Sequence, residues 1–236
     1  MTEFRPLYAQ IRDGLIARIS AGEWAPGDAI PAETALAAEL EVSQGTVRKA
    51  LDQLCADGVL RRSQGRGTFV AEQTPELANF RFFRLTDRTG ERVVPELARQ
   101  TVSQRTASEA QAASLGLASG ALVHVIDRLR LIDGVRAILE DVVVPDALMP
   151  GLDGDRDLPN ALYPYYQSRF GISVLRTQEQ LSAVSADEVQ ARRLQVPVGT
   201  ALLRVRRTAF DLTGRAVELR TSHFVTDSHS FSVSLQ

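Results

Sequence analysis

Two stretches of this sequence, about eighty residues apart, repeat one pattern. The first begins at Ser108 (SEAQAASLGLASGALVHVIDRLRLIDGVRAILE) and the second at Ala186 (ADEVQARRLQVPVGTALLRVRRTAFDLTGRAVELR). Three residues recur at a constant offset: Glu109, Leu115 and Gly120 match Glu188, Leu194 and Gly199. The repetition predicts a structural unit that occurs twice.

Each copy of the repeat has the pattern of a short strand, a helix that ends near a leucine, and two alternating strands around a glycine turn. The leading strands are predicted at Thr101–Ser103 and Gln180–Ala183. Two hairpins and two leading strands give about six strands in all. Because strands and helices do not alternate regularly, the pattern favours a mostly antiparallel α+β sheet. Between the copies, 158–170 is predicted to be helical despite Pro164, with Gly171 ending the helix.

Charged residues lie at even steps in the predicted hairpins. Arg128 and Arg130 share one face of the first hairpin, and Glu140 follows its turn by an even number of residues. Glu218 has a similar place in the second hairpin. Such residues either face solvent or line a pocket, and the residues alone favour the solvated face.

The first seventy residues predict three helices. Apolar residues recur every three or four positions from Pro6 to Ile19, and a second, short helix starts near Glu33. Ser43 is suited to cap a third helix, because its hydroxyl can accept from an otherwise unbonded amide. The inward face of that helix is formed by Val47, Ala50, Leu51 and Leu54.

The outer face of the third helix carries polar and basic residues, with Gly45 in the first turn. Glycine costs about 1 kcal/mol there relative to alanine, but it allows close approach to another body. A helix N-terminus also favours phosphate. These features fit the recognition helix of a helix-turn-helix, although a small helical bundle with a solvated face fits the helices equally well.

The next segment, GVLRRSQGRGTFV, favours the DNA-binding interpretation. It has two strand-like pieces around a tip at 65–67, which indicates a β-hairpin that would serve as a wing. Arg66, flanked by glycines, can enter a minor groove. Although the whole chain has a net charge of −2, five basic and two acidic residues lie between Gln44 and Val70.

Four motifs in order, PLYAQI, PGDAIPAE, LAAELEVSQGTVRKALDQLCADGVLRR and GRGTFV, resemble the winged-helix head of GntR-family transcription regulators. The resemblance implies DNA contacts from the second helix, the third helix and the wing: Thr34, Gln44, Thr46, Arg48, Arg66 and Gly67. The polar face of the third helix adds Gly45 and Lys49 to this predicted DNA-binding set. Thr34 and Gln44 stand where the family commonly has arginine, and glutamine suits adenine whereas arginine suits guanine. We therefore expect an altered operator half-site.

Three later motifs, RLRLIDGVRAILEDVVVP, NALYPYYQSRFGISV and RTAFDLTGRAVELRTSHF, resemble the UTRA effector-binding domain of the HutC subfamily, which has a chorismate-lyase-like fold. The resemblance implies an effector pocket lined by Arg128, Arg130, Glu140, Tyr163, Glu218 and Phe224. Ala161 and Phe224 replace residues that carry hydroxyls in the family, which weakens the case for a phosphosugar. Paired arginines still favour a small anionic metabolite.

We predict a DNA-binding head at 1–71, a polar linker at 72–79 and an effector-binding and dimerisation domain at 80–236. One cysteine, Cys55, excludes an internal disulfide. The first residues lack the pattern of a signal peptide and no apolar run is long enough to cross a membrane, so we expect neither secretion nor a membrane anchor. We expect a cytoplasmic protein.

The sequence thus predicts a ligand-responsive transcription regulator, a repressor that binds a palindromic operator as a homodimer. The alternatives are an enzyme of chorismate-lyase-like fold fused to a DNA-binding head and a scaffold that only dimerises. Neither a nucleophile motif nor a phosphate-binding lysine motif is present, and the three histidines lack a common zinc spacing, so no cofactor or metal is expected.

Overall fold

The computed structural model of the protein describes residues 5–154 and 157–233. The N-terminal head contains three helices and a hairpin: α1 (Leu7–Ser20), α2 (Glu33–Glu39), α3 (Gln44–Ala56), β1 (Leu60–Ser63) and β2 (Gly67–Val70). The Ser43 hydroxyl accepts a bond from the Thr46 amide at 3.2 Å, which confirms the predicted cap of α3. The predicted inward face of α3 is buried against α1 and α2, so this helix is fixed by the core of the head.

The hairpin forms the predicted wing. Its strands pair antiparallel from Leu60 opposite Val70 to Ser63 opposite Gly67. Gly65 and Gly67 have φ values of +70° and +115°, in the region that favours glycine, so these residues set the shape of the tip. A bridge between Ala29 and Phe69 ties the wing to the segment before α2.

A helix that the sequence did not indicate, α4 (Pro75–Phe82), connects the head to the second domain. It begins inside the predicted linker and extends past residue 80. The connection between the domains is therefore an ordered element with side-chain contacts to both of them.

The second domain is built on a six-stranded antiparallel sheet, which confirms the predicted class. Its elements are β3 (Leu85–Thr86), β4 (Glu96–Thr106), α5 (Glu109–Leu115), β5 (Leu122–Ile132), β6 (Val135–Pro145), a 3-10 helix (Leu152–Gly154), α6 (Leu162–Phe170), β7 (Val174–Ser185), α7 (Glu188–Leu194), β8 (Ala201–Asp211), β9 (Ala216–Val225) and β10 (Ser230–Phe231). The six strands have the order β4-β5-β6-β9-β8-β7, while β3 and β10 form a separate pair.

The repeat appears as two strand-helix-hairpin units whose last strands, β6 and β9, pair in the middle of the sheet. Both unit helices begin with a capping box, Ser108 with Gln111 in α5 and Asp187 with Gln190 in α7. The leading strands β4 and β7 have 11 and 12 residues and are longer than predicted. They lie at the edges of the sheet, where polar side chains on the exposed face hide the strand pattern.

The two faces of the sheet are covered differently. Helices α5 and α7 pack on one face, where Leu115 meets Val143 and Ala191 belongs to a cluster with Leu139. The opposite face carries α6, the 3-10 helix and the end of α4. Helix α6 starts later than predicted, after the extended residue Ala161, and ends as predicted at Gly171. None of the helices in the described ranges has the length and apolar content needed to cross a membrane.

Candidate functional site

The predicted DNA-binding residues lie at the exposed starts of α2 and α3 and on the wing. The side chains of Thr34, Gln44, Arg48 and Arg66 are exposed, and Thr46 is partly covered because its hydroxyl bonds to Ser43 at 2.8 Å. Arg48 Nε donates to Glu33 at 2.9 Å, and Arg62 of the wing donates to the same carboxylate at 3.1 Å. The recognition helix, the start of α2 and the wing therefore meet at one point.

Two members of the predicted set have different surroundings. A Cβ added to Gly45 would meet nothing closer than 3.8 Å, so packing inside the head does not require a glycine there. Lys49, in contrast, places its ammonium 4.2 Å from the centre of the Tyr8 ring in α1. The lysine is therefore held on the side of α3 that faces α1, apart from Gln44 and Arg48.

The charged residues of the central strands are buried, so the solvated-face interpretation is wrong. Arg128 and Glu218 are 0% exposed, and Arg130 and Glu140 are 2% exposed. Covered by α4 and α6, these side chains point into the domain and form a charged cluster. The sequence pattern did not reveal this covering, because residues distant in the chain supply it.

Glu218 has a full set of hydrogen-bond partners. It accepts from the Tyr163 and Tyr166 hydroxyls at 3.0 and 2.9 Å, and Arg220 donates to both of its oxygens at 3.0 Å. Burial, with a contribution from Glu218, raises the pKa of Tyr163 to about 12, so this tyrosine is a hydrogen donor at neutral pH. Glu218 therefore joins α6 to the sheet.

Glu140 has ion-pair neighbours but poor hydrogen bonding. Its oxygens lie 3.5 to 3.8 Å from guanidinium nitrogens of Arg130, Arg220 and Arg128, and Ser222 donates to it at 3.4 Å. Burial opposes ionisation of Glu140, yet attraction from these arginines lowers its pKa to about 2. Burial also lowers the pKa of Arg128, to about 10, which leaves it charged at neutral pH.

Several polar atoms of this cluster have no hydrogen-bond partner within the described residues: Arg128 Nε and Nη1, Arg130 Nε and Glu140 Oε2. Buried charged groups are normally satisfied by hydrogen bonds, so these atoms make the cluster a candidate binding site. Four buried arginines (Arg128, Arg130, Arg207 and Arg220) are paired with three glutamates (Glu140, Glu179 and Glu218), and Arg84 also lies 3.9 Å from Glu179, so the positive charges outnumber the negative ones.

The segment before α6 supplies oxygen acceptors to two of these arginines. Arg128 Nη2 donates to the Pro159 and Asn160 carbonyls at 3.1 and 3.0 Å, and Arg130 Nη2 donates to Asn160 Oδ1 and the Pro95 carbonyl at 3.0 Å. Ala161 caps α6 without a side-chain acceptor. The N-terminus of α6 therefore has no side-chain cap.

The cavity at the cluster has a volume of about 30 Å³, far below the roughly 300–1,000 Å³ of typical ligand pockets. Phe82 and Phe83, Asn160 and Tyr163 are among the residues that line it. Phe224 lies apart, packed with Leu85, Ile138, Val205 and Phe231 in a neighbouring apolar cluster. A metabolite therefore enters only if the Asn160 segment or the end of α4 moves.

Comparison with known proteins decides the family. The model of bacterial regulatory proteins of the gntR family matches residues 7–70, and the UTRA domain model matches residues 95–230. The chain belongs to the GntR family. The histidine utilization repressor of Pseudomonas putida is 31% identical over 86% of this chain and 81% of its own length. The transcriptional repressor NagR of Bacillus subtilis is 29% identical over 96% and 93%.

Among solved structures, PhnF from Mycobacterium smegmatis is 30% identical and gives a TM-score of 0.57 over 95% of this chain and 98% of PhnF. These relatives are regulators of transcription, so this GntR-family chain is a DNA-binding regulator. The enzyme and scaffold alternatives are thereby set aside.

In this GntR-family protein, α4 and α6 connect the charged cluster to the head. The Phe82 ring meets the Tyr163 ring edge-on at 4.9 Å, and the Phe82 carbonyl accepts a bond from Arg207. One residue earlier, Arg81 Nη2 donates to the carbonyl of Asp57 at the end of α3, at 3.2 Å. One short helix therefore touches both the cluster and the recognition helix.

A second connection passes through Gln167 of α6, one turn after Tyr163. Its Oε1 accepts from the Gln73 amide at 2.7 Å, and its Nε2 donates to the Ala71 carbonyl at 3.1 Å. Gln73 in turn donates to the Val174 carbonyl at 2.6 Å. These bonds hold the segment that leaves the wing against the second domain.

Sequence reasoning missed several members of the cluster: Phe82, Phe83, Asn160, Tyr166, Arg207 and Arg220. A signal was available for Arg220, which stands two residues after Glu218 and hence on the same strand face. No comparable signal marks Asn160, because its role depends on a loop that crosses the sheet.

Proposed function

We propose that this protein represses transcription by binding a palindromic operator as a homodimer, and that a small anionic metabolite changes its affinity for the operator. The observation that carries the effector proposal is the buried arginine cluster with its unpartnered polar atoms. Two of its relatives are named as repressors, which supports repression rather than activation.

The chemistry of the cluster favours an anion. Arg128 and Arg130 have unpartnered donors, and the described cluster has an excess of positive charge. A carboxylate, phosphate or phosphonate group can accept several of these bonds at once. It would replace the carbonyls of Pro159 and Asn160 as acceptors for Arg128, and Asn160 Oδ1 as an acceptor for Arg130.

The coupling between effector binding and operator affinity follows from the small size of the cavity. Because about 30 Å³ cannot hold a metabolite, binding must displace the Asn160 segment or the phenylalanines at the end of α4. Movement of α4 alters the bond between Arg81 and Asp57 and so the position of α3. A metabolite that binds one arrangement better than the other shifts the population between them, which changes how two heads fit an operator.

The test begins with a thermal-shift screen of small anionic metabolites, because a ligand that binds only the native state raises the melting temperature. A positive compound is then added to the protein bound to a duplex selected from a random library. We expect it to change the operator affinity of the wild type and to lose this effect with Arg128→Ala. Unchanged operator affinity at saturating compound would contradict the coupling.

A further inference from the structure

Three polar side chains from the DNA-binding surface converge on Glu33, the first residue of α2. Arg48 Nε donates to Glu33 Oε2 at 2.9 Å, and Gln44 Nε2 approaches the same oxygen at 3.4 Å. Arg62 of the wing donates to Oε1 at 3.1 Å. One carboxylate therefore contacts two residues of the recognition helix and one of the wing.

A carboxylate at this place opposes DNA binding by its charge, because it repels phosphates. It is also poorly placed to read a base itself. Both of its oxygens accept from arginines, and its side chain is 22% exposed, whereas base reading by a carboxylate requires a free oxygen for the cytosine amino group. The Glu33 carboxylate is therefore suited to orienting neighbouring side chains through hydrogen bonds.

The bond to Arg48 uses Nε and so fixes the plane of the guanidinium while leaving its terminal amino groups at the outer edge. Those amino groups form the fork that binds guanine or phosphate bidentately. The contact between Glu33 and Gln44 likewise orients the side-chain amide of Gln44. This amide can pair bidentately with adenine. A side chain oriented before binding loses less conformational entropy when it meets its base.

We propose that Glu33 is a positioning residue for sequence reading. It holds Arg48 and Gln44 in the orientation in which they meet the bases, and it joins the wing to the same point through Arg62. Its loss weakens discrimination between DNA sequences and leaves general DNA binding intact or stronger, since one repelling charge is removed.

The test compares Glu33→Gln with Glu39→Gln in the full-length protein. Glu39 lies in the same helix and pairs with Arg18 at 2.9 Å, so its replacement removes an equal charge away from the recognition helix. Affinities are measured by fluorescence anisotropy for a duplex selected from a random library by the wild type and for a scrambled duplex of equal length. We expect Glu33→Gln to lower the ratio of the two affinities roughly tenfold, and Glu39→Gln to keep it.

A merely structural role for Glu33 gives a different result. Exposed ion pairs contribute little to stability, and any loss of folded protein reduces both affinities equally, which leaves their ratio unchanged. If Glu33→Gln keeps the wild-type ratio of affinities for the selected and scrambled duplexes, the proposal is wrong, whether or not the melting temperature falls.

The second measurement repeats the comparison in an Arg48→Lys background. Lysine keeps the charge but has no fork to orient, so Glu33→Gln should then have little further effect on the ratio. An equal loss of discrimination in both backgrounds would show that Glu33 does not act through Arg48 and would overturn the proposed orientation of Arg48 by Glu33.

Discussion

Gln44 stands at the exposed start of α3, where an arginine is common in the family, and its amide lies beside Glu33 and Arg48. Replacing it by arginine restores a fork that suits guanine. We expect Gln44→Arg to shift the preferred base towards guanine at one position of each half-site, as measured by selection from a random duplex library. Gln53→Arg adds the same charge farther along the helix and should keep the wild-type preference. Identical selected sequences for Gln44→Arg and wild type would contradict the assignment.

Glu140 makes a prediction about pH. Because its folded pKa of about 2 lies below the ordinary value of 4.5, the unfolded chain binds the proton more tightly. The stabilisation is therefore fully present above pH 4.5 and is lost as the pH falls towards 2. Glu140→Gln should be less stable at neutral pH by roughly 3–5 kcal/mol, since it leaves buried arginines uncompensated.

Denaturant titrations between pH 3 and pH 5 check this prediction, because the wild type should lose stability over that range more steeply than Glu140→Gln. Glu96→Gln, at the exposed start of β4, serves as the control and should follow the wild type. Parallel plots of stability against pH for the wild type and Glu140→Gln would show that the neighbouring arginines do not lower the pKa of Glu140.

For helices and strands, the sequence predicts best the features that depend on residues within one or two helical turns. Ser43 and Gly171 could be assigned as helix ends because each cap depends on a few neighbouring backbone groups. The repeat likewise predicted the number of strands. Helix α4 was missed because PELANFRF has no one-sided apolar face. The strand pattern alone could not predict the burial of Arg128, because Pro159 and Asn160, which contact it, lie far along the chain.

Helix α4 is the element through which the effector signal is expected to pass. Arg81 Nη1 lies 3.0 Å from the position of a Cβ on Gly58, which directly follows the end of α3. Arg81→Ala should keep most of the operator affinity but reduce the change in affinity that the effector causes. The measurement is operator binding with and without an anion found in the thermal-shift screen. Arg88→Ala, an exposed arginine beyond α4, is the control, and an undiminished response in Arg81→Ala would exclude this route.

For the whole molecule, the packing between the domains is loose. A cavity of about 590 Å³ lies between the end of α3, the wing, α4 and the start of β7, and its lining includes Leu60, Leu77 and Val174. Polar bonds from Gln73 and Gln167 cross this boundary, and Leu175 and Leu212 of the second domain pack against the apolar core of the head. Because each domain has its own apolar core, we expect the head to move as a unit when α4 shifts.

Two heads that move in this way read an operator only if their separation matches the half-sites. We expect the full chain, of 25.8 kDa, to have twice that mass by light scattering and to protect two symmetric half-sites about 10 base pairs apart. Inserting about 5 base pairs between the half-sites turns one to the opposite side of the duplex and should weaken binding sharply, whereas a full turn of about 10 should cost less. A protein of monomeric mass that binds a single half-site as tightly as the full operator would contradict the homodimer.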